Sequence, residues 1–307
     1  MWHVHGSWTT AFVQGRHQYF VPVVPDRGAD GRGRARTWDW PASVHEVPIE
    51  QARDVPVDVV VLQRPEELAH LTEQWLGRRP GLDVPTVYLE HNVPQGRIEE
   101  MRHPVADRSD VLLVHVTPFN DLFWDSGRAP TAVVEHGIVD PGDRYTGELA
   151  RAAVVVNEPC RRRRVVGTDL LSHFAAGCPL DLYGMGTEAL CGHGDVPQET
   201  MHSEMARRRA YLHPFRWTSL GLSLLEAMYL GMPVVALATT AVAEAVPREA
   251  GVVSTRVDEL RAGLDAFLAD AELARAAGVA ARAHAIRAFG LDRFLDDWDR
   301  LLAEVMR

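Results

Sequence analysis

The chain has 307 residues, 46% of them hydrophobic, and a formal net charge of −10. That length suits two domains of ordinary size, and the acidic balance argues against nucleic-acid binding, which needs a basic footprint. Three cysteines (Cys160, Cys178 and Cys191) are too few for a disulfide framework, no run of about 18 apolar residues could span a bilayer, and no leader pattern opens the chain. The expectation is a cytoplasmic protein without an integral membrane segment, with attachment to a membrane surface left open.

Residues 1–9 read as a short first strand and a glycine loop, with Gly6 and Ser7 offering backbone N–H groups to a ligand. Residues 26–41, rich in Gly, Arg, Asp and Trp, read as a mobile loop. Apolar runs at 57–62, 86–89, 111–116, 132–134, 153–156 and 233–238 have the length and character of buried parallel strands. Helical patterns at 65–76, 167–175 and 222–230 alternate with them. Residues 139–147 are dense in turn formers and poor in apolar residues, which makes them the best linker. A helical zone covers 257–306, broken near Phe289 and Gly290, and in its last segment Phe294, Trp298, Leu301 and Leu302 share one face. The predicted architecture is α/β, with two Rossmann-like parallel-sheet domains facing a central cleft. The first spans residues 1–143 and the second 144–290, with the helix at 291–307 packing back on the first.

The most informative stretch is 216–236, RWTSLGLSLLEAMYLGMPVVA. Thr218 and Ser219 suit a helix start, Gly231 suits the left-handed residue past its end, and Pro233 prevents continuation. The helix is apolar on almost every side and therefore buried, which leaves Glu226 as a lone carboxylate in an apolar setting. A buried charge needs a partner, so Glu226 faces either a nearby Arg or a ligand hydroxyl. The turn Thr218-Ser219-Leu220-Gly221 presents backbone N–H groups at a helix start, a ready anion site. All 32 basic residues are arginine. A side-chain clamp on phosphate must then be built from Arg, whose planar fork suits phosphate oxygens, and lysine chemistry is excluded.

This stretch resembles the C-terminal signature of family 4 glycosyltransferases of the GT-B fold. There a Gly-Leu precedes a Leu-Glu-Ala-Met helix and a Gly-x-Pro-Val-Val strand follows, as Gly231 to Val235 do here. Ala250 to Val253, the helix around Ala280 to Arg282 and the aromatic-bearing last helix fall in the family's order. Tyr183-Gly184-Met185-Gly186 looks like the strand-end turn that meets the donor base. In the first half Tyr88 to Asn92 and Val133 to Asp140 are similar more weakly, with His136 replacing the family's Asn.

The resemblance implies a donor side of Gly184, Gly186, Arg216, Thr218, Ser219, Leu220, Gly221 and Glu226. Glu226 matches the second of the family's two Glu residues, which reaches the ribose. The first is replaced by Thr218, and Val166 stands where the family has a diphosphate Lys. The four-arginine run 161–164, after a strand and before a helix, would supply the clamp, with Arg161 and Arg164 the chosen residues. His91, at the end of a strand, matches a His that contacts the donor near the reacting carbon. Gly6, Ser7 and His115, with Thr117, form the candidate acceptor side.

Two constellations are set aside. Cys191, His193 and His202 match no standard zinc spacing, and Asp297 and Asp299 flank Trp298 within an amphipathic helix, where they read as solvated. The implied function is transfer of a sugar, with retention, from a nucleoside-diphosphate-sugar to a small-molecule, lipid or glycan acceptor, with no metal and no cofactor. The alternatives are a catalytically silent nucleotide-sugar-binding protein and a sugar-nucleotide epimerase on the same fold.

Overall fold

The computed structural model describes residues 1–307 apart from the side chain of Ile98. The chain divides into two compact units, Met1–Val139 joined by Leu291–Arg307, and Asp140–Gly290.

The first unit opens with an extended segment and helix α1 (Gly6–Phe12). Strands β1 (Tyr19–Val23) and β2 (Val44–Pro48) form a parallel pair. A second, all-parallel sheet runs in the order β3 (Val60–Leu62), β4 (Thr86–Glu90), β5 (Leu112–His115) and β6 (Thr131–Val133). Helix α2 (Thr72–Leu76), entered through a π turn at Glu67–Leu71, connects β3 to β4, and α3 (Pro118–Phe123) connects β5 to β6. All five residues of β4 are buried, because helices cover both faces of a parallel sheet and leave no polar side to alternate with.

The expected first strand does not form. Residues 1–5 are extended but join no ladder. Their polar groups are engaged singly instead: the Met1 amine donates to Phe20 O, Gln63 Nε2 donates to Trp2 O, and His3 Nδ1 lies 3.0 Å from Gly33 O. Gly6 and Ser7 accordingly begin a helix rather than a loop. Residues 26–41 carry no named helix or strand, yet Arg34 ties them down by donating to the carbonyls of Pro41, Val44 and Trp40.

The second unit is a five-stranded parallel sheet in the order β11-β10-β9-β7-β8. Its strands are β7 (Leu149–Val155), β8 (Leu180–Tyr183), β9 (Arg208–His213), β10 (Val234–Leu237) and β11 (Gly251–Ser254). Helices α4 (Pro159–Arg162), α5 (Thr168–Ala175), α6 (Gln198–Arg207), α7 (Leu222–Tyr229) and α8 (Val242–Ala245) fall between the strands, and α9 (Val257–Ala269) and α10 (Ala271–Ala288) follow them. Strand β9 lacks an apolar signature because it opens on two arginines. Arg208 is nonetheless buried, its charge matched by Asp181 at 2.7 Å and by Glu204.

Helix α11 (Leu291–Val305) belongs to the first unit, where Trp298 packs edge-on against Trp8 and Phe12, with ring centroids at 5.6 and 5.0 Å. The acids beside Trp298 are ion-paired rather than merely solvated. Asp299 takes His17 at 2.6 Å and Arg16 at 3.0 Å, and Asp297 takes Arg293 at 2.9 Å. Among the described residues no helix is long and apolar enough to cross a membrane.

Candidate active site

The second unit's strand order places its site. The chain leaves β7 toward β8 on one side, then crosses back to β9 on the other side of β7. Connections that depart in opposite directions from neighbouring strands open a crevice beyond the strands' carboxyl ends, where ligands of open α/β sheets bind. Two loops meet there, Val156 to Val166 after β7 and Pro214 to Gly221 after β9. Arg216 N donates to Val165 O at 2.9 Å and Arg216 Nη1 to Arg164 O at 3.0 Å. A side chain at Gly167 would collide with Pro214 O, so glycine permits this approach.

The loop after β8 closes the third side. Met185 N donates to Asn157 Oδ1 at 3.0 Å. Gly184, at φ +115°, passes so close that a β-carbon would stand 2.5 Å from Val156 O, while Gly186 lies over the Glu158 backbone. The glycines of the Tyr183-to-Gly186 turn thus bring the β7 and β8 loops together.

The arginines are not equivalent. Arg161 is 70% exposed and paired with Glu158, and Arg164 is 74% exposed and lies 2.9 Å from Asp169. Arg216 forms a two-pronged pair with the same Asp169, at 2.6 and 2.9 Å, which holds that carboxyl below its usual range. The structure therefore joins Arg164 to Arg216 through Asp169 and leaves Arg161 apart with Glu158. Arg162 differs from its neighbours. It is half-buried, no described residue pairs with it, and desolvation reinforced by Arg161 lowers its pKa. Glu158 acts on it only from a distance, and a half-buried cation with no hydrogen-bonded carboxylate suits an anion.

Beyond these loops stands the start of α7. Gly221 is its N-cap and no side chain caps the helix, so its first N–H groups are oriented along the dipole toward the crevice. Gly221 must be glycine, since a β-carbon there would be 2.5 Å from the edge of the His213 ring. His213 is fully buried, tilted against Phe215 with ring centroids 4.2 Å apart, and burial pushes its pKa down to about 3. Thr218 is half-buried; Ser219 and Leu220 are buried, and Ser219 O accepts from Thr240 Oγ1 at 2.7 Å, so the β10 loop props the turn from behind.

Glu226 follows on α7 and is only 3% exposed. Gln198 Nε2 donates to it at 3.2 Å and His202 Nε2 lies 3.3 Å away, both from α6. Gln198 and His202 are four apart on one helix, a spacing that puts both on the same face. Their role was hidden because nothing in the sequence links α6 to α7. His202 therefore belongs with Glu226, while His193 stacks on Tyr183. Among the described residues no group of three or more His, Cys, Asp or Glu side chains is arranged to hold a metal ion.

The first unit gathers a histidine cluster at the carboxyl end of β4. The His91 ring lies 4.0 Å from His5, 5.3 Å from Trp8 and 6.3 Å from His136. Gln63 fixes the tautomer: its Nε2 donates to Trp2 O, so its Oε1 faces His91 Nε2 at 3.0 Å and that nitrogen carries the proton. His91 Nδ1 is then an acceptor. Burial, with His5 and His136 nearby, holds the His91 pKa well below its usual value. Through α1, Gly6 and Ser7 stand beside this cluster. His115 is fully buried at the end of β5, 3.4 Å from Ser126 Oγ, and burial lowers its pKa to about 4. Thr117 caps α3 by accepting from Asn120 N.

Comparison with known proteins fits this layout. The family described as glycosyl transferases, group 1, matches residues 187–284, which run from the β8 loop through α6, β9, α7 and most of α10. No curated protein matches in sequence. Among solved structures, a sucrose-phosphate synthase from Thermosynechococcus elongatus superposes with a TM-score of 0.65 at 14% identity, over 81% of this chain and 73% of that one. Anabaena HepE in complex with UDP-glucose superposes with a TM-score of 0.65 at 17% identity, over 85% and 86%. S. aureus TarM, in a complex that includes UDP, gives 0.63 at 12% identity, over 80% of this chain but 55% of its own. The chain thus has the GT-B glycosyltransferase fold, and the segment that matches the group 1 glycosyl transferases holds Glu226 and the start of α7.

Proposed function

We propose that the protein is a family 4-like retaining glycosyltransferase of the hexosyltransferase type, which moves a sugar from a nucleoside-diphosphate-sugar to a small-molecule, lipid or glycan acceptor. The observation that carries this reading is Glu226, buried on α7 directly behind an uncapped helix start, at the crevice where the β7 and β9 loops meet. A carboxylate there suits a ribose hydroxyl, and the helix start beside it suits a phosphate. HepE structures contain UDP or UDP-glucose, which makes uridine the base to test first.

In the proposed reaction the acceptor oxygen attacks the anomeric carbon from the face the diphosphate leaves. The bond from that carbon to the phosphate oxygen breaks, its electron pair departs with the diphosphate, and the acceptor's proton passes to the leaving oxygen. Arg162 and the α7 N–H groups stabilise the negative charge that develops, which is work a metal would otherwise do. By the resemblance, His91 is the residue that contacts the donor sugar, and burial keeps it neutral. Retention rests on the resemblance to the retaining family alone, and metal independence on this arginine and helix charge.

Calorimetric titration with UDP, GDP, ADP, dTDP and CDP, with and without EDTA, tests the reading. Binding of one diphosphate, unchanged by EDTA, supports it; binding of none refutes it. Thr218, standing where the family's first Glu belongs, favours a second reading as a binding protein without turnover. A diphosphate that binds while UDP-glucose and the other nucleotide sugars release no nucleotide in any acceptor screen would select that reading.

A further inference from the structure

We propose that His202 is a positioning residue of the nucleotide site: with Gln198 it holds the Glu226 carboxylate in the orientation that meets the ribose, and through it sets a preference for ribonucleotides over their deoxy forms. The inference rests on the reading of Glu226 as the ribose group and deepens it by naming what keeps that group in place.

A glutamate side chain turns about several bonds, so its carboxylate must be held if it is to meet a ligand in one geometry. Here each carboxylate oxygen is met by a nitrogen from the same face of α6. Gln198 Nε2 donates to Oε1 at 3.2 Å, and His202 Nε2 lies 3.3 Å from Oε2. A carboxylate only accepts, so His202 Nε2 carries the proton of that bond. Contacts on both oxygens fix the carboxylate plane. They do not exhaust it, because a carboxylate has about four acceptor sites. The two supports are unequal. His202 is 5% exposed and has a rigid ring, whereas Gln198 is half-buried and turns about more bonds, which makes His202 the stiffer of the two. Helix α6 can serve as a support because its far end is itself held. Ala206 O accepts from Thr146 N at 3.0 Å and from Gly147 N at 3.1 Å, and Met205 and Ala206 are buried. Hydrogen bonds weaken steeply when misaligned. A carboxylate left free to swing would therefore lose its bond to the ribose, while the contacts made by the diphosphate at Arg162 and the α7 start would remain.

The test is calorimetric titration of the full chain with whichever of UDP, GDP, ADP and CDP binds, and with its 2′-deoxy and 3′-deoxy counterparts. The parent is expected to prefer the ribonucleotide at least tenfold over one of the deoxy forms. His202→Leu is expected to cut that preference at least fivefold, weakening the ribonucleotide and leaving the deoxy form within twofold. His202→Gln, whose amide can reach the same oxygen, is expected to restore most of it, and Gln198→Leu to cut it about threefold. A preference within twofold of the parent in folded His202→Leu overturns the proposal, as do equal losses of the ribonucleotide and the deoxy form, which a packing role alone would give. If circular dichroism shows His202→Leu unfolded, an unchanged preference in Gln198→Leu overturns it instead. A parent that binds the diphosphate yet does not distinguish ribose from deoxyribose removes the ribose role of Glu226 and this inference with it, but leaves the diphosphate site standing. Absence of any diphosphate binding removes both.

Discussion

Replacing Glu226 by Gln keeps the side chain's shape and removes its charge, which makes it the sharpest probe of the site. The carboxylate is 3% exposed and faces Gln198 Nε2 at 3.2 Å and His202 Nε2 at 3.3 Å. The amide oxygen can still accept from one of them, so the variant should fold, at a cost of about 1–2 kcal/mol for the other. Toward a ribose hydroxyl the charge matters more. A hydrogen bond to a carboxylate contributes about 1.5–3 kcal/mol and one to a neutral oxygen about 0.5–1.5 kcal/mol. The difference of about 1–1.5 kcal/mol corresponds to a roughly five- to tenfold weaker nucleotide. Glu226→Ala goes further. It loses the whole ligand bond, roughly 10- to 150-fold in affinity, and strips both α6 donors of their acceptor, about 1–3 kcal/mol each. Titration of each variant with UDP or whichever diphosphate binds, alongside thermal unfolding, separates the two losses. Should both folded variants bind within twofold of the parent, Glu226 serves the packing of the fold and the ribose assignment fails.

Arg162→Ala should weaken diphosphate binding about tenfold or more, whereas Arg161→Ala, which removes an exposed side chain already held by Glu158, should change it less than threefold. Equal losses, or equal loss for the monophosphate, would contradict that ranking. Gly221→Ala should cost about 1–3 kcal/mol by overpacking against His213, and His213→Ala in the same chain should relieve most of that cost. Strictly additive denaturation midpoints would show that the ring is not the obstacle. His136 and His213 are buried with pKa values pushed down to about 3, far below the unfolded value. As pH falls below about 6.5 the unfolded chain takes up protons that the folded chain refuses, so stability drops until about pH 3. Between pH 7 and 5 the loss should approach about 2 kcal/mol for each histidine, and His213→Leu should make the slope shallower. A denaturation free energy that stays flat over this range would rule out the buried neutral state.

Strand positions were legible where a strand is written as a continuous apolar run. Runs such as 86–89 and 233–238 lie within or around strands that are buried along their whole length, and a continuous apolar run survives without knowledge of its neighbours. Strands β1, β2, β8 and β9 had no such run. The first two are half-exposed and mixed in character, β8 is interrupted by Asp181, and β9 opens on two arginines, of which the buried Arg208 is met by Asp181 and Glu204. The extended start at residues 1–5 looked like a strand because local propensity cannot tell whether a ladder partner will be present.

The sequence by itself determined the chemistry available: a carboxylate on a helix apolar on almost every side, a glycine turn at that helix's start, and arginine as the only basic residue that could clamp a phosphate. Those are local facts, settled by periodicity and composition. Which groups remain free to act was decided by the tertiary structure. Glu158 occupies Arg161, Asp169 occupies Arg164 and Arg216, and α6 brings Gln198 and His202 to Glu226, leaving Arg162 half-buried without a carboxylate in direct contact. The longer-range meetings depend on the crossover from β8 past β7 to β9. That crossover sets residues dozens of positions apart against one another, and no short-range pattern records it.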